Sequence, residues 1–325
     1  MVNKSLHGDC PSTVKKRLSG KTLVLGSTVV DVIVKVPQLP ATAQDVNIIS
    51  QRHQLGGCAY NVAHILKLAG VPHQLCSPVG CGMYGDFVAR SLEEQGIPLF
   101  ARLDGVANGC CYCLVEPSGE RTFLSHHGAE YLFRREWFTP QVLAGVDSIY
   151  ICGLELEEAT SSELVDFLEE LRQGEVFRQL QIFFAPGPRI TSIDGQLMDR
   201  ILGLSPIVHL NETEIIGFTG RSVLAEAVEA LHRQTRNSVV VTRGAQGACC
   251  IHQGQMHYME GCKAVVVDTI GAGDAHMGSV IAALHQGLEL PQAVRRANAV
   301  AAAVVSISGA SLTTDEYNGA LGKGE

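Results

Sequence analysis

Seven consecutive residues, Asp268-Thr269-Ile270-Gly271-Ala272-Gly273-Asp274, hold the types that phosphoryl chemistry requires. Gly271, Ala272 and Gly273 have almost no side chain to keep a ligand from the backbone. The small, apolar segment after them is predicted as a helix over 273–286. Amides at a helix N-terminus face an anion, and the helix dipole adds to the attraction. Asp274, at the start of that helix, is placed to take a hydroxyl proton while the adjacent amides stabilise negative charge on a transferring phosphoryl group. That is the division of labour phosphoryl transfer needs. A glycine-rich loop with an N-capping Asp would use the same residues without any ligand. The whole string ahead of a helix is far more specific than its glycines alone.

The elements that must position this loop follow from the hydrophobic pattern. Buried strands are predicted at 22–25 and 32–36, with Pro37 and Pro40 closing the second. A more alternating run covers 46–54 and ends at Gly56-Gly57. Helical spacing follows over 59–69, with Gly70 as a stop, and again over 86–95. The runs 109–116 and 121–125 flank Pro117-Ser118-Gly119-Glu120 and read as a hairpin projecting from the main sheet. Strands at 148–152, 181–184, 207–210, 238–242 and 248–252 then alternate with helices at 161–171, 194–202, 222–235 and 290–307. This alternation predicts an α/β fold: a doubly wound, mostly parallel sheet flanked by helices, with a small β lid. The expected organisation is a loose tail over 1–20 and one domain over 21–325, with lid segments at about 32–55 and 108–127.

Composition removes several classes. The chain has 325 residues, 46% of them hydrophobic and 18% charged, which suits a large buried core and not a disordered chain. Its net charge of −8 opposes broad binding to nucleic acid or to a membrane surface. The eleven cysteines lack the spacing of a tetrahedral metal site and read as free thiols in a reducing compartment. The first twenty residues carry no apolar stretch of the secretory kind, so a cytoplasmic protein is expected.

Residues 268–274 resemble the D-T-x-G-A-G-D signature of the ribokinase-like (PfkB-type) carbohydrate kinase family. The resemblance runs from about Thr22 to Thr313. It includes Gly56-Gly57 with Asn61, Gly119-Glu120-Arg121-Thr122, Asn211-Glu212-Thr213-Glu214, and Thr242 with Gly244 and Gly247. It implies an ATP-dependent kinase with Asp274 as base and Gly271, Ala272 and Gly273 as anion hole. Asn211 and Glu214 would organise Mg²⁺, Glu214 through water. Thr242, Gly244 and Gly247 would approach the nucleotide, and Asn298 would contact adenine. Asp31, Gly56, Gly57 and Asn61 would hold the hydroxyls of a sugar-like acceptor. Asp268 and Thr313, with carbonyls near Ile270, Val304 and Gly309, would form a monovalent-cation (K⁺) site. A homodimer through the lid is the expected assembly.

Some positions depart from the family pattern. Val29 stands where ribokinases proper carry Asn, and Cys58 where they carry Lys, which argues against D-ribose and for a less polar pocket. His276 fills a slot usually held by Phe and reads as a packed helix residue. Glu155 and Glu157 both sit where some relatives place a substrate-binding acid. Arg121, His126 and His127 read as lid surface or packing. The alternatives are a nucleoside kinase, a kinase for a sugar acid or sugar phosphate, and a catalytically silent regulatory binding protein. A phosphorylated acceptor would call for convergent Arg or Lys, and a silent member for loss of Asp274 or the glycines. A dehydrogenase is disfavoured because no G-x-G-x-x-G follows the first strand.

Overall fold

The computed structural model describes residues 18–118 and 120–322, so residues 1–17 of the expected tail and Gly119 of the expected turn lie outside the described residues. The amides of Ser19 and Gly20 donate to Asp147 Oδ2 at 2.7 and 2.6 Å, tying the start of the fold to a strand far along the chain. The first part comprises β1 (Lys21–Leu25), β2 (Val29–Lys35), β3 (Ser50–Gly56), α1 (Cys58–Leu68), β4 (His73–Cys76), β5 (Pro78–Cys81), α2 (Gly82–Glu94), β6 (Ala101–Ala107), β7 (Cys110–Val115) and β8 (Arg121–His126). Next come α3 (Pro140–Leu143), β9 (Val146–Cys152), α4 (Ser161–Gln173), β10 (Gln181–Ala185), α5 (Gly195–Gly203), β11 (Ile207–Asn211), α6 (Glu212–Thr219) and α7 (Leu224–Thr235). The last are β12 (Val239–Thr242), β13 (Ala248–His252), β14 (Gln255–Met259), α8 (Ala272–His285), α9 (Leu290–Val304) and α10 (Thr314–Leu321).

The main sheet is eight-stranded, in the order β14-β13-β12-β11-β10-β9-β1-β4. The strands from β4 to β12 pair in parallel, and β13 and β14 close one edge antiparallel. Side chains alternate between two buried layers, as a strand's two-residue period requires. Val24, Tyr150, Phe183 and Val240 meet Val62, Leu66, Met277, Ile281 and Val294 of α1, α8 and α9. Their neighbours Leu23, Ile149, Ile182 and Val239 meet Leu164, Leu168, Ile201 and Leu231 of α4, α5 and α7. The direction of winding reverses at β1, which lies between β9 and β4. The crevice at the carboxyl ends of β1 and β9 is where open α/β sheets place ligands.

A second, four-stranded sheet has the order β3-β2-β7-β8. The predicted hairpin at 109–125 is its β7–β8 pair, with Cys110 opposite His126 and Val115 opposite Arg121. Several elements differ from expectation. Between α1 and α2 the chain forms two strands separated by Ser77: β4, in the main sheet, and β5, which pairs with β6. Strand β14 follows a two-residue turn in which Gln253 and Gly254 both have positive φ, 51° and 75°. The favoured hairpin geometry demands this, although Gln-Gly is not its usual sequence. Helices α6 and α10 have eight residues each and begin in polar capping boxes, so they carry little periodicity.

Candidate active site

Three chain segments meet at the carboxyl end of β1. The β3–α1 junction lies against the β1–β2 junction so closely that a Cβ on Gly57 would stand 2.5 Å from the Ser27 carbonyl oxygen. Gly57 also has φ of 99°, which L side chains rarely adopt. Helix α1 packs directly on α8 because Gly278 has no side chain, and a Cβ there would lie 2.9 Å from that of Ile65. This approach brings Asn61 to Asp274, where its Nδ2 donates to Asp274 Oδ2 at 2.8 Å.

Asp274 sits in the first turn of α8, and Gly271 is the N-cap in the left-handed region with φ of 71°. No side chain caps this helix. The Ala272 amide donates to the Thr269 carbonyl at 3.4 Å, whereas the next first-turn amides, including that of Gly273, lack the intrahelical partner that later residues have and face outward as donors. Added carbon at Gly273 meets open space, whereas at Gly271 it would overlap Ala310. Burial pushes the Asp274 carboxyl up to about 6, and the hydrogen bonds from Asn61 and the Cys58 thiol oppose that rise. Cys58 itself is held as a neutral thiol, chiefly by its hydrogen bond with Cys152 and by burial.

Asp31 lies mid-strand in β2, between Gln54 of β3 and Cys111 of β7, and is buried. A Cβ on Gly56 would overlap its carboxylate, so the glycine makes room for the acid. Burial first and the charge of Asp274 second push Asp31 up to about 7. Glu155, just past β9, is raised to about 8 by its burial. Its Oε1 accepts the Ser27 amide at 3.0 Å, and its Oε2 is buried with no hydrogen-bond partner. Glu157 instead pairs with Arg189 at 2.8 Å. The two acids indistinguishable by position are thus separated: Glu155 joins Asp31 and Asp274, and Glu157 stabilises the loop surface. Neither Glu155 nor the thiol of Cys58 had a local signature marking it for this cluster.

Asn211 and Thr242 stand side by side in register at the carboxyl ends of β11 and β12. Asn211 and Glu214 form a reciprocal capping box on α6. The Glu214 amide donates to Asn211 Oδ1 at 2.8 Å, and the Asn211 amide donates to Glu214 Oε2 at 2.9 Å. The Thr242 hydroxyl donates to the Leu210 carbonyl at 3.3 Å. Gly244 and Gly247 follow with φ of 55° and 88°, and Gly247 presses against the 259–261 backbone. Burial raises the half-buried Glu214 carboxyl. Among the described residues no group of three acidic, His or Cys ligands is close enough to cage a metal. One carboxylate in the first turn of α6, that of Glu214, fits Mg²⁺, which commonly binds one or two carboxylates along with phosphates and water.

The remaining expected site residues have other partners. Asn298, expected at adenine, is buried, and its Nδ2 donates to the Glu260 and Met259 carbonyls at 2.9 and 3.3 Å. Its Oδ1 must therefore accept from His276 Nε2 at 3.1 Å, which leaves His276 Nδ1 to accept from His209 Nε2 at 2.8 Å. Burial lowers His276 to about 4, so it is a neutral packed residue as expected. Thr313 is the exposed N-cap of α10 with its hydroxyl bonded to Glu316. Asp268 is buried, accepting the Ile270 and Gly309 amides at 2.9 and 2.8 Å and pairing with Arg121. Arg121 is accordingly no lid surface charge. His127 bonds Glu158 at 2.6 Å and stacks on Tyr131.

The model of the pfkB family carbohydrate kinases matches residues 19–316. The chain belongs to that family. It is a sugar kinase, a phosphotransferase with an alcohol group as acceptor. An uncharacterised sugar kinase of Escherichia coli, YegV, is 34% identical across 95% of both chains. The ribokinase of Arabidopsis thaliana is 23% identical over 89% of this chain and 76% of its own. Solved structures show the same ribokinase fold. That of Giardia lamblia ribokinase has a TM-score of 0.81 at 22% identity, covering 94% of this chain and 99% of its own. The Arabidopsis ribokinase complexed with ribose and ATP has a TM-score of 0.78 at 19% identity, covering 93% of this chain and 99% of its own.

Proposed function

We propose that this pfkB kinase transfers the γ-phosphate of ATP to a hydroxyl, most simply a primary alcohol, of a neutral sugar, with Asp274 as general base. The observation that carries the reading is a buried carboxylate, raised to about 6, in the first turn of a helix whose N-terminal amides no side chain caps. Asp274 takes the hydroxyl proton as the new O–P bond forms, and the Gly271–Gly273 backbone receives the developing negative charge. Asn61 holds the carboxylate in place. Asp31 and Glu155 bind acceptor hydroxyls. The charges that shift both are those of other carboxylates, so a sugar acid or sugar phosphate entering here would meet repulsion.

Asn211, Glu214, Thr242, Gly244 and Gly247 form the nucleotide side, with Asn298 acting indirectly by fixing the 259–260 backbone. Glu214 would hold Mg²⁺ through water, and the ion supplies charge neutralisation on the phosphates. Glu214→Gln preserves the helix cap but removes the charge. Its Mg²⁺ titration is expected to shift to higher concentration with turnover reduced, and an unchanged titration would remove Glu214 from this role.

The four-stranded sheet serves as a lid over the acceptor, built from the segments around 32–55 and 108–127 of a single kinase domain over 21–325. Closure would exclude water from the transfer. The exposed Phe123 and Leu124 of β8, with the exposed Ile48 and Ile49 just before β3, support a homodimer through the lid. No helix of the described residues is long and apolar enough to cross a membrane. A cytoplasmic location agrees with this and with the free thiols of the ten described cysteines.

The pH dependence follows from the direction of the Asp274 shift. A base must be unprotonated, so kcat at saturating acceptor is expected to rise with pH through about 6 instead of the usual carboxylate range near 4. A flat profile from pH 5 to 8 would exclude Asp274 as the titrating base. The function itself is tested by ADP release in a coupled assay, with neutral sugars, sugar acids, sugar phosphates and nucleosides as acceptors. Release that depends on a neutral sugar supports the reading, and release only with a nucleoside would replace it.

A further inference from the structure

A monovalent cation beside the loop 268–274 would need the Asp268 carboxylate as its anionic ligand, and this chain has committed that carboxylate elsewhere. Asp268 Oδ1 accepts the Ile270 amide and the Arg121 guanidinium, and Oδ2 accepts the Gly309 amide. The Val304 carbonyl accepts from Ile307 at 3.2 Å, and the neighbouring Val305 carbonyl accepts from both Val267 and Asp268, at 2.7 and 3.2 Å. The Thr313 hydroxyl is exposed and bonded to Glu316. With Asp268 paired to a guanidinium and the Thr313 hydroxyl turned to Glu316, the two side-chain ligands expected for K⁺ do not fit that ion.

The charge balance has a different solution. The Asp268 side chain is only 1% exposed, and a carboxylate so buried requires a compensating charge. Arg121 supplies it from β8, with its own side chain 14% exposed. A guanidinium stays charged at any physiological pH, and its planar fork reaches two acceptors at once. Here the second is the Val267 carbonyl, at 3.4 Å from Nη2.

We propose that Arg121 is a tethered replacement for the monovalent cation, making the kinase independent of K⁺ and linking the lid sheet to the anion-binding loop. Arg121 carries the same single positive charge as K⁺, and it arrives only when β8 lies over the site. Asp268 in turn holds the Ile270 amide, one residue before Gly271. The loop's shape therefore depends on a side chain from the other sheet. Arg121 is a positioning residue, since it touches Asp268 and not the reacting atoms.

The inference rests on the kinase reading only where nucleotide is involved, so the first test needs none. Thermal unfolding of the whole protein is compared in KCl, NaCl and choline chloride at equal ionic strength. The wild type is expected to unfold at one temperature in all three. Arg121→Met is expected to unfold lower in choline chloride and to be partly restored by KCl, while Arg121→Lys, which keeps a tethered charge, stays close to the wild type. Calorimetric titration with MgADP follows. Arg121→Met should bind about 10-fold more weakly in choline chloride, within the range of coupling between linked sites, and recover with KCl. Wild-type stability or MgADP affinity that rises several-fold with KCl over choline chloride would overturn the proposal, as would an Arg121→Met protein indistinguishable from wild type in every salt. Absence of MgADP binding in any salt would overturn the kinase reading, and the thermal comparison would still decide the role of Arg121.

Discussion

Asp274→Asn is expected to lower kcat by about 10²–10⁴-fold at saturating acceptor, with ATP affinity little changed. The amide matches the carboxylate in shape, so Asn61 and Cys58 keep a neighbour, but it cannot take the hydroxyl proton. A sugar hydroxyl ionises far above neutrality, and attack on phosphorus benefits from proton removal as the bond forms. Because the transition state is loose, that help is partial, and positioning by the same carboxylate contributes too. The first-turn amides of α8 remain, which is why nucleotide binding should survive. The folded protein should be at least as stable as the wild type, since a buried, desolvated acid has been replaced by a neutral group. Circular dichroism and thermal unfolding, run beside the kinetics, separate this outcome from misfolding. A kcat within a few-fold of wild type would mean that transfer runs without Asp274.

Asp31→Ala should have the second largest effect, and on a different constant. Asp31 is buried in β2 of the four-stranded sheet, whereas β11 and β12, proposed to bind the nucleotide, belong to the main sheet. Losing a charged hydrogen bond to substrate costs about 1.5–3 kcal/mol. The acceptor KM should therefore rise by about 10- to 150-fold, with the KM for ATP nearly constant. Equal weakening toward both substrates would move Asp31 from acceptor binding to a structural role in the lid sheet. An unchanged acceptor KM would remove it from the site. The alanine leaves a cavity beside Gly56, so Asp31→Asn is the control that preserves volume.

What could be read in the sequence was whatever is local. The string Asp268–Asp274 carries its own chemistry, and the alternating strands and helices set the parallel sheet before any contact is known. What could not be read depends on pairs far apart in the chain. Asn61 meets Asp274 across 213 positions, and Arg121 meets Asp268 across 147. No periodicity marks either pair. Glu155 and Glu157 have the same sequence context, and only burial beneath Ser27 separates them. The Asn211–Glu214 pair shows a further limit, because N-x-x-E is a helix capping signature as well as a phosphate-site motif, and here it is observed as a cap. The family resemblance alone implies a contact of Asn298 with adenine. A histidine at 276 in place of the usual Phe gives its amide a polar partner inside the core.

Acceptor-dependent ADP release measures phosphate transfer to a neutral sugar without an intermediate inference. Wild type and Asp274→Asn are assayed together at saturating MgATP against neutral sugars, sugar acids, sugar phosphates and nucleosides. The expected result is ADP release by the wild type only when a neutral sugar is present, stoichiometric with the sugar phosphate formed, and at least 10²-fold slower in the variant. Release that needs a phosphorylated or acidic acceptor, or that proceeds equally in Asp274→Asn, would contradict it.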